Sequence, residues 1–247
     1  MALTRYAPTP SGYLHAGNLR NLELTAEVAA GIDAEIALRI DDADAARYRR
    51  EYVEDIFSTL ERMGLAWTIG PRDVDDFEAH WSQRTRTEHY RTELMRARDR
   101  GLMVYACTCS RSQQRGPASG GCAGGCRSRG DAFEPGASAL RVAVPRETSI
   151  TVGEQRVLLD VEMGDFIIWR RDDLPAYQLV SVVEDRDLGT THIVRGRDLL
   201  PSSAAQVFLA HAFGAPNVAA ATYVHHELIT DGDGRKLSKS QIPREGP

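Results

Sequence analysis

The chain has 247 residues, a formal net charge of −5 and 42% apolar residues. That length and composition predict a globular protein with a sizeable core, and the interspersed charges are not those of a disordered chain. No apolar run approaches the roughly 18 residues of a membrane-spanning helix, so we expect no membrane partner. The N-terminus lacks the apolar segment of a secretory signal, which predicts a cytoplasmic protein, and we expect a monomer. Nucleic-acid modules are usually strongly basic, so indiscriminate nucleic-acid binding is not expected.

The first elements in the chain predict a parallel α/β fold. Residues 3–7 favour a short strand, and the Pro/Gly-rich segment 8–12 interrupts regular structure. A helical pattern over 17–30 stops at Gly31, and residues 34–40 favour a second strand. In parallel α/β folds, ligands bind at the carboxyl ends of strands, beside helix N-termini. The residues that this rule places around one crevice are Thr9, Ser11, His15, Gly17 and Asp41.

The rest of the chain alternates between helical and extended patterns. In chain order, these are helices over 51–64 and 82–101, strand-like segments between 139 and 169, strands over 179–183 and 192–194, and a helix over 202–213. The Gly/Ser/Arg-rich segment 116–136 is predicted to be irregular. We therefore expect a mixed α/β architecture without internal repeats.

The four cysteines form one cluster with the spacing C-x-C-x12-C-x3-C, at Cys107, Cys109, Cys122 and Cys126. In a chain without a secretory signal, such a cluster favours a structural metal site over disulfides. Two close pairs suit a knuckle around tetrahedral Zn2+, and the metal would then hold the irregular segment in place. The C-x-C spacing is less usual than C-x2-C, so free thiols are the alternative.

Lysine is almost absent, because only Lys236 and Lys239 among the 30 basic residues are lysines. Both lie in the pentapeptide 236–240, Lys-Leu-Ser-Lys-Ser, directly after a Gly-rich turn. An ammonium group is a compact point charge on a mobile stem, whereas a guanidinium is a planar fork. The pattern favours a loop that needs two ammonium groups, and the alternative is chance in an Arg-rich composition.

Two segments, in this order, resemble the paired signatures of class I aminoacyl-tRNA synthetases. The first is 5–18, Arg-Tyr-Ala-Pro-Thr-Pro-Ser-Gly-Tyr-Leu-His-Ala-Gly-Asn, and the second is 236–240. The first segment is similar to the glutamyl branch. The cysteine cluster and the stretches 164–172, 176–179 and 195–200 are similar to the truncated glutamyl-queuosine tRNA(Asp) synthetases of that branch. Two signatures about 220 residues apart are specific, whereas either alone is weak.

The resemblance implies a Rossmann-like class I synthetase catalytic domain, in which helices flank a parallel sheet. It also implies an inserted subdomain with a zinc knuckle that binds the acceptor. We predict the first half of the nucleotide-binding domain over 1–100, the insertion over 101–160, and the second half over 161–247, ending in the lysine loop.

The implied reaction is attack of an amino-acid carboxylate on the α-phosphate of ATP, which enters with Mg2+, while pyrophosphate leaves. His15 would donate to a phosphate at a helix start, and Gly17 would allow close approach of the backbone. Lys236 and Lys239 would neutralise the charge on pyrophosphate. The resemblance assigns ATP binding to a larger set, Pro8, His15, Gly17, Asn18, Lys236, Leu237, Ser238 and Lys239.

Substrate selection is implied by matching positions. Arg5 and Arg195 would hold a side-chain carboxylate, because forked guanidiniums favour an acidic over an amide side chain. Tyr177 matches a substrate-contacting tyrosine, and Thr9 and Ser11 could hydrogen-bond the substrate. From the residues alone, the alternatives are a surface ion pair for Arg5 and a core aromatic residue for Tyr177.

Several positions depart from the family pattern. Asp41 stands where the family usually has a glutamate that binds the substrate ammonium, so glutamate specificity is an open question. Cys122 stands where the truncated synthetases typically have tyrosine, which implies an all-sulfur metal site. The sequence continues for seven residues after Ser240, so we expect no anticodon-directed charging of an ordinary tRNA unless the sequence has been cut.

Three functions fit these observations. The first is activation of glutamate as its adenylate without tRNA, followed by transfer to queuosine of tRNA(Asp). The second passes an activated amino acid to a carrier protein or a small molecule in specialised metabolism. The third is a non-catalytic, synthetase-like binding or sensor protein. The intact His15, Gly17 and lysine pair favour the two enzymatic functions.

Overall fold

The computed structural model describes residues 1–110, 122 and 125–227. The strands are β1 (Leu3–Tyr6), β2 (Glu35–Leu38), β3 (Val104–Cys107), β4 (Ala139–Val142), β5 (Ser149–Val152), β6 (Gln155–Leu158), β7 (Ile167–Trp169), β8 (His192–Gly196) and β9 (Thr222–His226). The α-helices are α1 (Ala16–Gly31), α2 (Arg50–Arg62), α3 (Val74–Asp76), α4 (Thr87–Asp99), α5 (Cys126–Arg129), α6 (Leu159–Glu162), α7 (Tyr177–Leu188), α8 (Leu200–Ala212) and α9 (Pro216–Ala219). A π-helical turn covers Phe77–Trp81, and 3-10 turns cover Gln83–Arg86 and Arg197–Leu199.

The chain forms two compact units, each built from separated segments. The first unit comprises Met1–Thr85, Thr190–Asp198 and the described residues from Val224 onward. The second unit comprises Arg86–Gly189 and Leu199–Tyr223. The predicted segmentation, with boundaries at 100 and 160, differs from this division and stays a prediction about domain organisation.

The first unit is organised around the parallel pair of β1 and β2, in which Leu3 lies opposite Glu35 and Tyr6 opposite Leu38. Every residue of β1 is buried, as is typical of a parallel strand covered on both faces. The N–H of Thr191 donates to the Leu3 carbonyl over 2.9 Å. This bond brings the start of β8 to the side of β1.

The core of the first unit lies between this strand pair and the helices that follow its strands. Its buried members are Tyr6, Leu22, Leu38, Ile40, Val53, Ile56, Leu60 and Phe77. Helix α2 contributes Val53, Ile56 and Leu60 at helical spacing, while its charged residues form the opposite face. Full burial of such a side chain contributes about 1.5–3 kcal/mol, so the apolar face of α2 stabilises its packing in this core.

The second unit contains antiparallel sheets and the more buried helices. Strands β3, β4 and β7 form a three-stranded sheet, and β5 and β6 form a hairpin. The hairpin turns at Gly153, whose φ of 59° is in the left-handed region that glycine adopts without strain. Helix α8 packs against α7 and α9. None of the helices among the described residues is long and apolar enough to cross a membrane.

Most of the predicted elements are confirmed, but the strand predicted over 179–183 is wrong. These residues lie inside α7, in which every residue from Gln178 to Asp185 is buried. Its polar residues, Gln178, Ser181, Glu184 and Asp185, are buried together with the valines. A short apolar run of β-branched residues favours a strand, and periodicity alone does not distinguish it from a buried helix segment. The helix ends at Gly189, whose φ of 76° allows the left-handed C-cap. The helix predicted over 82–101 begins as a 3-10 turn and continues as α4.

Candidate active site and cysteine centre

The first signature segment forms the start of α1. His15 is the N-cap residue, and its Nδ1 accepts a hydrogen bond from the Gly17 N–H over 3.1 Å. In return, the His15 N–H donates to Oδ1 of Asn18 over 3.1 Å, which completes a capping box. Because Nδ1 accepts, the neutral ring carries its proton on Nε2. The predicted phosphate donor therefore has the required tautomer at the positive end of a helix dipole.

Gly17 leaves room for the His15 ring. A Cβ on Gly17 would lie 3.1 Å from Cε1 and 3.2 Å from Nδ1 of that ring. This is closer than ordinary van der Waals contact, so a side chain at this position would displace the ring by a few tenths of an ångström. The structure thus gives Gly17 a second role beside the close approach of the backbone that the sequence predicts.

The pairing of β1 with β2 continues beyond the ends of both strands. The N–H of Arg39 donates to the Tyr6 carbonyl, and the N–H of Asp41 donates to the Pro8 carbonyl, each over 2.9 Å. Asp41 therefore lies directly beside the Pro/Gly-rich turn that contains Thr9 and Ser11. The turn, with the predicted ATP contact Pro8, and the predicted ammonium-binding carboxylate meet at the carboxyl ends of the parallel strands, where ligands bind in such folds.

Three hydrogen bonds from the protein orient the Asp41 carboxylate. Arg39 donates from Nε to Oδ1 over 2.7 Å and from a terminal nitrogen to Oδ2 over 3.1 Å. Nε2 of Gln83 donates to Oδ1 over 2.8 Å. The Arg39 side chain is 4% exposed and that of Asp41 is 12% exposed, so this bidentate ion pair is shielded from water and orients the carboxylate more firmly than a surface pair would.

The neighbouring carboxylate, Asp42, holds the turn from which Gln83 comes. It accepts from the hydroxyl of Ser82 over 2.6 Å, from the N–H of Gln83 over 2.7 Å and from Nε of Arg84 over 2.8 Å. Burial raises the pKa of Asp42, and these three donors oppose the shift. The guanidinium of Arg84 also stacks 3.6 Å above the ring of Tyr48. The two adjacent aspartates therefore differ in their roles. Asp42 holds the turn, and Asp41 lies at the carboxyl ends of the parallel strands.

The structure excludes the non-functional alternatives for Arg5 and Tyr177, while their predicted roles in substrate binding stay predictions. Arg5 on β1 is 3% exposed and Arg195 on β8 is 4% exposed, both in the first unit. Arg5 is therefore no surface ion pair, and a buried guanidinium is costly unless an anion or acceptor meets it. Tyr177, the first residue of α7 in the second unit, is 42% exposed, so it is not a core aromatic residue.

Burial and the charge of Arg195 lower the pKa of His225 to about 4, so the His225 ring is neutral at physiological pH.

The second signature falls outside the described residues. Lys236, Leu237, Ser238 and Lys239 lie beyond residue 227, where the described part of the chain ends. Their predicted roles in ATP binding and catalysis stay predictions.

The four cysteines come together as predicted, in the second unit. Their Sγ atoms all lie within 4.8 Å of one another. Sγ of Cys109 is 3.6 Å from that of Cys122 and 3.5 Å from that of Cys126. Around tetrahedral zinc with Zn–S bonds of about 2.3 Å, neighbouring sulfurs would lie about 3.8 Å apart. The cluster therefore fits a single tetrahedral metal ion, with Cys107 at the end of β3 and Cys126 at the start of α5.

The surroundings of the cluster keep two of its thiols protonated unless a cation binds, and they contact the cluster from outside. Burial raises the pKa of the Cys107 thiol and that of Cys109, the latter to about 12, so both stay protonated at neutral pH without a cation. A metal ion displaces these protons, and its affinity should therefore increase with pH. Arg129 donates to Sγ of Cys126 over 2.6 Å, and Arg171 donates to the Cys109 carbonyl over 3.2 Å. These contacts orient the ligands from outside the cluster.

One carboxylate ties the cysteine cluster to the sheet of the second unit. Asp165 accepts from the hydroxyl of Tyr105 over 2.6 Å, from Arg127 over 2.6 Å and from the N–H of Val144 over 2.9 Å. Tyr105 lies on β3, and Arg127 lies on α5, beside the fourth cysteine. The cysteine cluster is thus tied to the sheet of the second unit by polar contacts of Asp165.

Three residues that hold the site have no recognisable signal in the sequence. Asp42 and Gln83 fix Asp41, and Oδ2 of Asp55 on α2 accepts from the Leu14 N–H over 2.8 Å, which anchors the first signature segment. Asp55 lies 41 residues from Leu14 in the chain, and Gln83 lies 41 residues from Asp42 and 42 residues from Asp41. Short-range patterns carry no signal for such pairs, and Asp55 has the appearance of an ordinary charged residue on an amphipathic helix.

We expect the purified chain to carry about one Zn2+ per molecule. The Cys122→Ser variant should bind zinc about tenfold more weakly, because one of the four thiolates is lost. Chelator competition measures the affinity, and the sulfur-to-metal charge-transfer absorption of the Co2+ form reports the number of thiolates. Ser128→Ala is the matched control, since its hydroxyl bonds to the Gly125 carbonyl, 3.0 Å away, next to the cluster. A folded protein that holds no metal would contradict the zinc site.

The chain is similar to known proteins over most of its length. The family model "tRNA synthetases class I (E and Q), catalytic domain" matches residues 1–244. A glutamyl-Q tRNA(Asp) synthetase of Verminephrobacter eiseniae is 39% identical over 256 residues, which cover 95% of this chain and 80% of that protein. The same-named protein of Pseudomonas syringae pv. syringae is 40% identical over 245 residues, which cover 96% of this chain and 76% of that protein.

Solved structures show the same fold. The glutamate tRNA ligase of Elizabethkingia meningosepticum matches with a TM-score of 0.73 at 22% identity, over 97% of this chain and 52% of that one. The glutamate-tRNA synthetase of Elizabethkingia anophelis matches with a TM-score of 0.74 at 23% identity and the same coverage. The chain spans about half the length of these two proteins. The family model and the curated relatives together establish that the chain is a ligase and that it belongs to the class I tRNA synthetase catalytic-domain family for glutamate and glutamine.

Proposed function

We propose that this chain activates glutamate with ATP as glutamyl-adenylate, that this step needs no tRNA, and that the glutamyl group then passes to queuosine of tRNA(Asp). The names of two curated relatives at 39% and 40% identity support the amino acid and the acceptor. The structural observation that carries the chemistry is the cap of α1. It presents Nε2–H of His15 at the N-terminus of a 16-residue helix.

In the first step, a carboxylate oxygen of glutamate bonds to the α-phosphorus of ATP as the bond from that phosphorus to the pyrophosphate oxygen breaks. Such chemistry depends on positioning and on stabilisation of charge. His15 donates from Nε2, and the first N–H groups of α1 add the positive end of the helix dipole. Mg2+, which enters with ATP, reduces the negative charge of the phosphates. The ammonium groups of Lys236 and Lys239 neutralise the negative charge on the leaving pyrophosphate.

The remaining ATP contacts follow the two signatures. Pro8 and Asn18 belong to the first signature, where Asn18 also closes the capping box. Leu237 and Ser238 belong to the lysine loop. In the second step, a hydroxyl oxygen of the acceptor bonds to the carbonyl carbon of the adenylate as the bond from that carbon to the phosphate oxygen breaks. AMP leaves, and the hydroxyl proton is released to water.

The amino acid is selected by charge. Arg5 and Arg195 bind its side-chain carboxylate, since both guanidiniums are buried in the first unit and a planar fork matches the geometry of a carboxylate. Asp41 binds the ammonium at the end of β2. Tyr177, Thr9 and Ser11 are further substrate contacts. Zn2+ on the four cysteines has a structural role, and the enzyme acts in the cytoplasm as a monomer.

A second candidate keeps the chemistry and changes the amino acid and the acceptor, which would be a carrier protein or a small molecule. The observation that favours it is Asp41, which is one methylene shorter than glutamate and is held at its carboxylate by Arg39 and Gln83. Membership of a ligase family argues against the third function of the sequence analysis, a protein without catalysis.

The deciding experiment is ATP–pyrophosphate exchange with each of the twenty amino acids, with and without tRNA. We expect exchange with glutamate and without tRNA, because no tRNA group takes part in adenylation. Exchange with a different amino acid would support the second candidate. Dependence on tRNA would contradict the tRNA-independent step, and absence of exchange in zinc-loaded, folded protein would contradict both candidates.

The Arg195→Leu variant should raise KM for glutamate by about 100-fold, because it removes a charged hydrogen-bonding partner of the substrate carboxylate. KM for ATP should change little. The matched control is Arg197→Leu two residues later, whose side chain is 56% exposed and pairs with Glu227. Equal glutamate kinetics in wild type and Arg195→Leu would refute the assignment of Arg195.

The Gly17→Ala variant should reduce kcat for exchange by about tenfold while leaving the protein as stable or up to about 1 kcal/mol more stable. Alanine favours the helix, but its Cβ displaces the His15 ring. Gly31→Ala at the other end of α1 is the control, since a Cβ there meets nothing within 4 Å. The assignment fails if both variants have wild-type kcat, and thermal unfolding of each variant gives the stability.

A further inference from the structure

Gln83 is buried beside the proposed ammonium-binding carboxylate. It begins the 3-10 turn Gln83–Arg86 and is 1% exposed. Its amide donates to Oδ1 of Asp41 over 2.8 Å. A carboxylate only accepts, so the atom facing Asp41 is the nitrogen of the amide and its orientation is unambiguous.

The other end of the Gln83 amide contributes nothing to stability. Its Oε1 is buried, and within the described part of the chain no donor bonds to it. A buried acceptor without a partner costs about 1–3 kcal/mol, whereas an apolar side chain of the same length would avoid this cost. Among the described residues, the hydrogen bond to Asp41 is thus the favourable interaction that the Gln83 amide makes.

The backbone of Gln83 is held independently of that contact. Asp42 accepts its N–H over 2.7 Å and also binds the hydroxyl of Ser82 over 2.6 Å. Nε of Arg84 closes the same network at 2.8 Å. The amide therefore approaches Asp41 from a fixed support, as is required of a group that orients another group.

The contacts of Asp41 are distributed unequally between its two oxygens. Oδ1 accepts from Nε of Arg39 and from Gln83, whereas Oδ2 accepts from one terminal nitrogen of Arg39, at the longer distance of 3.1 Å. Each carboxylate oxygen has about two acceptor sites. Oδ1 is therefore saturated by the protein, and the remaining acceptor site is on Oδ2.

We infer that Gln83 is a positioning residue for substrate binding, which saturates Oδ1 of Asp41 and so directs the substrate ammonium to Oδ2. This inference rests on the proposed function, in which Asp41 binds the ammonium. Gln83 itself touches Asp41 and not the reacting atoms. It acts on the affinity for the amino acid, with little effect on the chemical step.

The test is Gln83→Met in ATP–pyrophosphate exchange. Methionine keeps the length and removes both the donor to Asp41 and the buried acceptor. We expect KM for glutamate to rise about tenfold, as for loss of one hydrogen bond to a charged group, with kcat within about twofold and an unchanged Tm. A merely structural glutamine would give the opposite result, a lower Tm with unchanged KM.

Gln206→Met is the matched control. Gln206 is also 1% exposed, and its amide donates to Oε1 of Gln178 over 3.1 Å in the second unit. We expect this variant to lower Tm, because a buried partner is left unsatisfied, and to leave KM for glutamate unchanged. An equal rise in KM in both variants would overturn the specific role of Gln83.

A double-mutant cycle with Asp41→Ala separates the two hypotheses. If Gln83 acts through Asp41, adding Gln83→Met to Asp41→Ala changes KM for glutamate no further.

If Asp41→Ala leaves KM for glutamate unchanged, the ammonium contact of the proposed function is wrong. If Asp41→Ala raises KM but Gln83→Met does not, the positioning role is wrong and the proposed function stands. If wild type exchanges with another amino acid, the same cycle is run with that amino acid, and no exchange at all would overturn both.

Discussion

Two backbone hydrogen bonds beyond the ends of β1 and β2 hold the candidate active site together. They join Arg39 to Tyr6 and Asp41 to Pro8, each over 2.9 Å. In a parallel pair, both strands end at the same edge of the sheet, so the first signature turn and the acidic pair are brought together there by the sheet itself. A site for a nucleotide and a site for an amino acid can therefore share one edge of a short strand pair.

Buried polar contacts then convert this placement into fixed orientations. Asp42 gains three donors that oppose the cost of burying its carboxylate, and Asp41 is oriented by Arg39 and Gln83. The paired members of such a network favour one geometry, whereas a buried atom without a donor, such as Oε1 of Gln83 among the described residues, is costly. In the second unit, the four cysteines with Asp165 have the corresponding role, because the segment around them has few apolar side chains with which to build a core.

Most elements of the fold could be predicted, and the error has a clear cause. Amphipathic α2 and the strand–turn–helix at the start of the chain carry strong local signals, whereas residues 178–185 of α7 are all buried and their valines resemble a strand. The cysteine cluster was predictable because its spacing is local. The burial of Arg5 and the exposure of Tyr177 were not, because burial depends on what packs around a residue and not on its neighbours in the chain.

The sequence by itself determined which chemical groups this protein has and in what order, since each signature is a short segment whose residue types and spacing are visible locally. The tertiary structure decided how those groups are oriented. Gln83 reaches Asp41, and Asp55 reaches the backbone of Leu14, across 42 and 41 residues of chain. The physical reason is that such pairs form only when the core brings distant segments together, and the same folding sets the tautomer of His15 by closing a cap on α1.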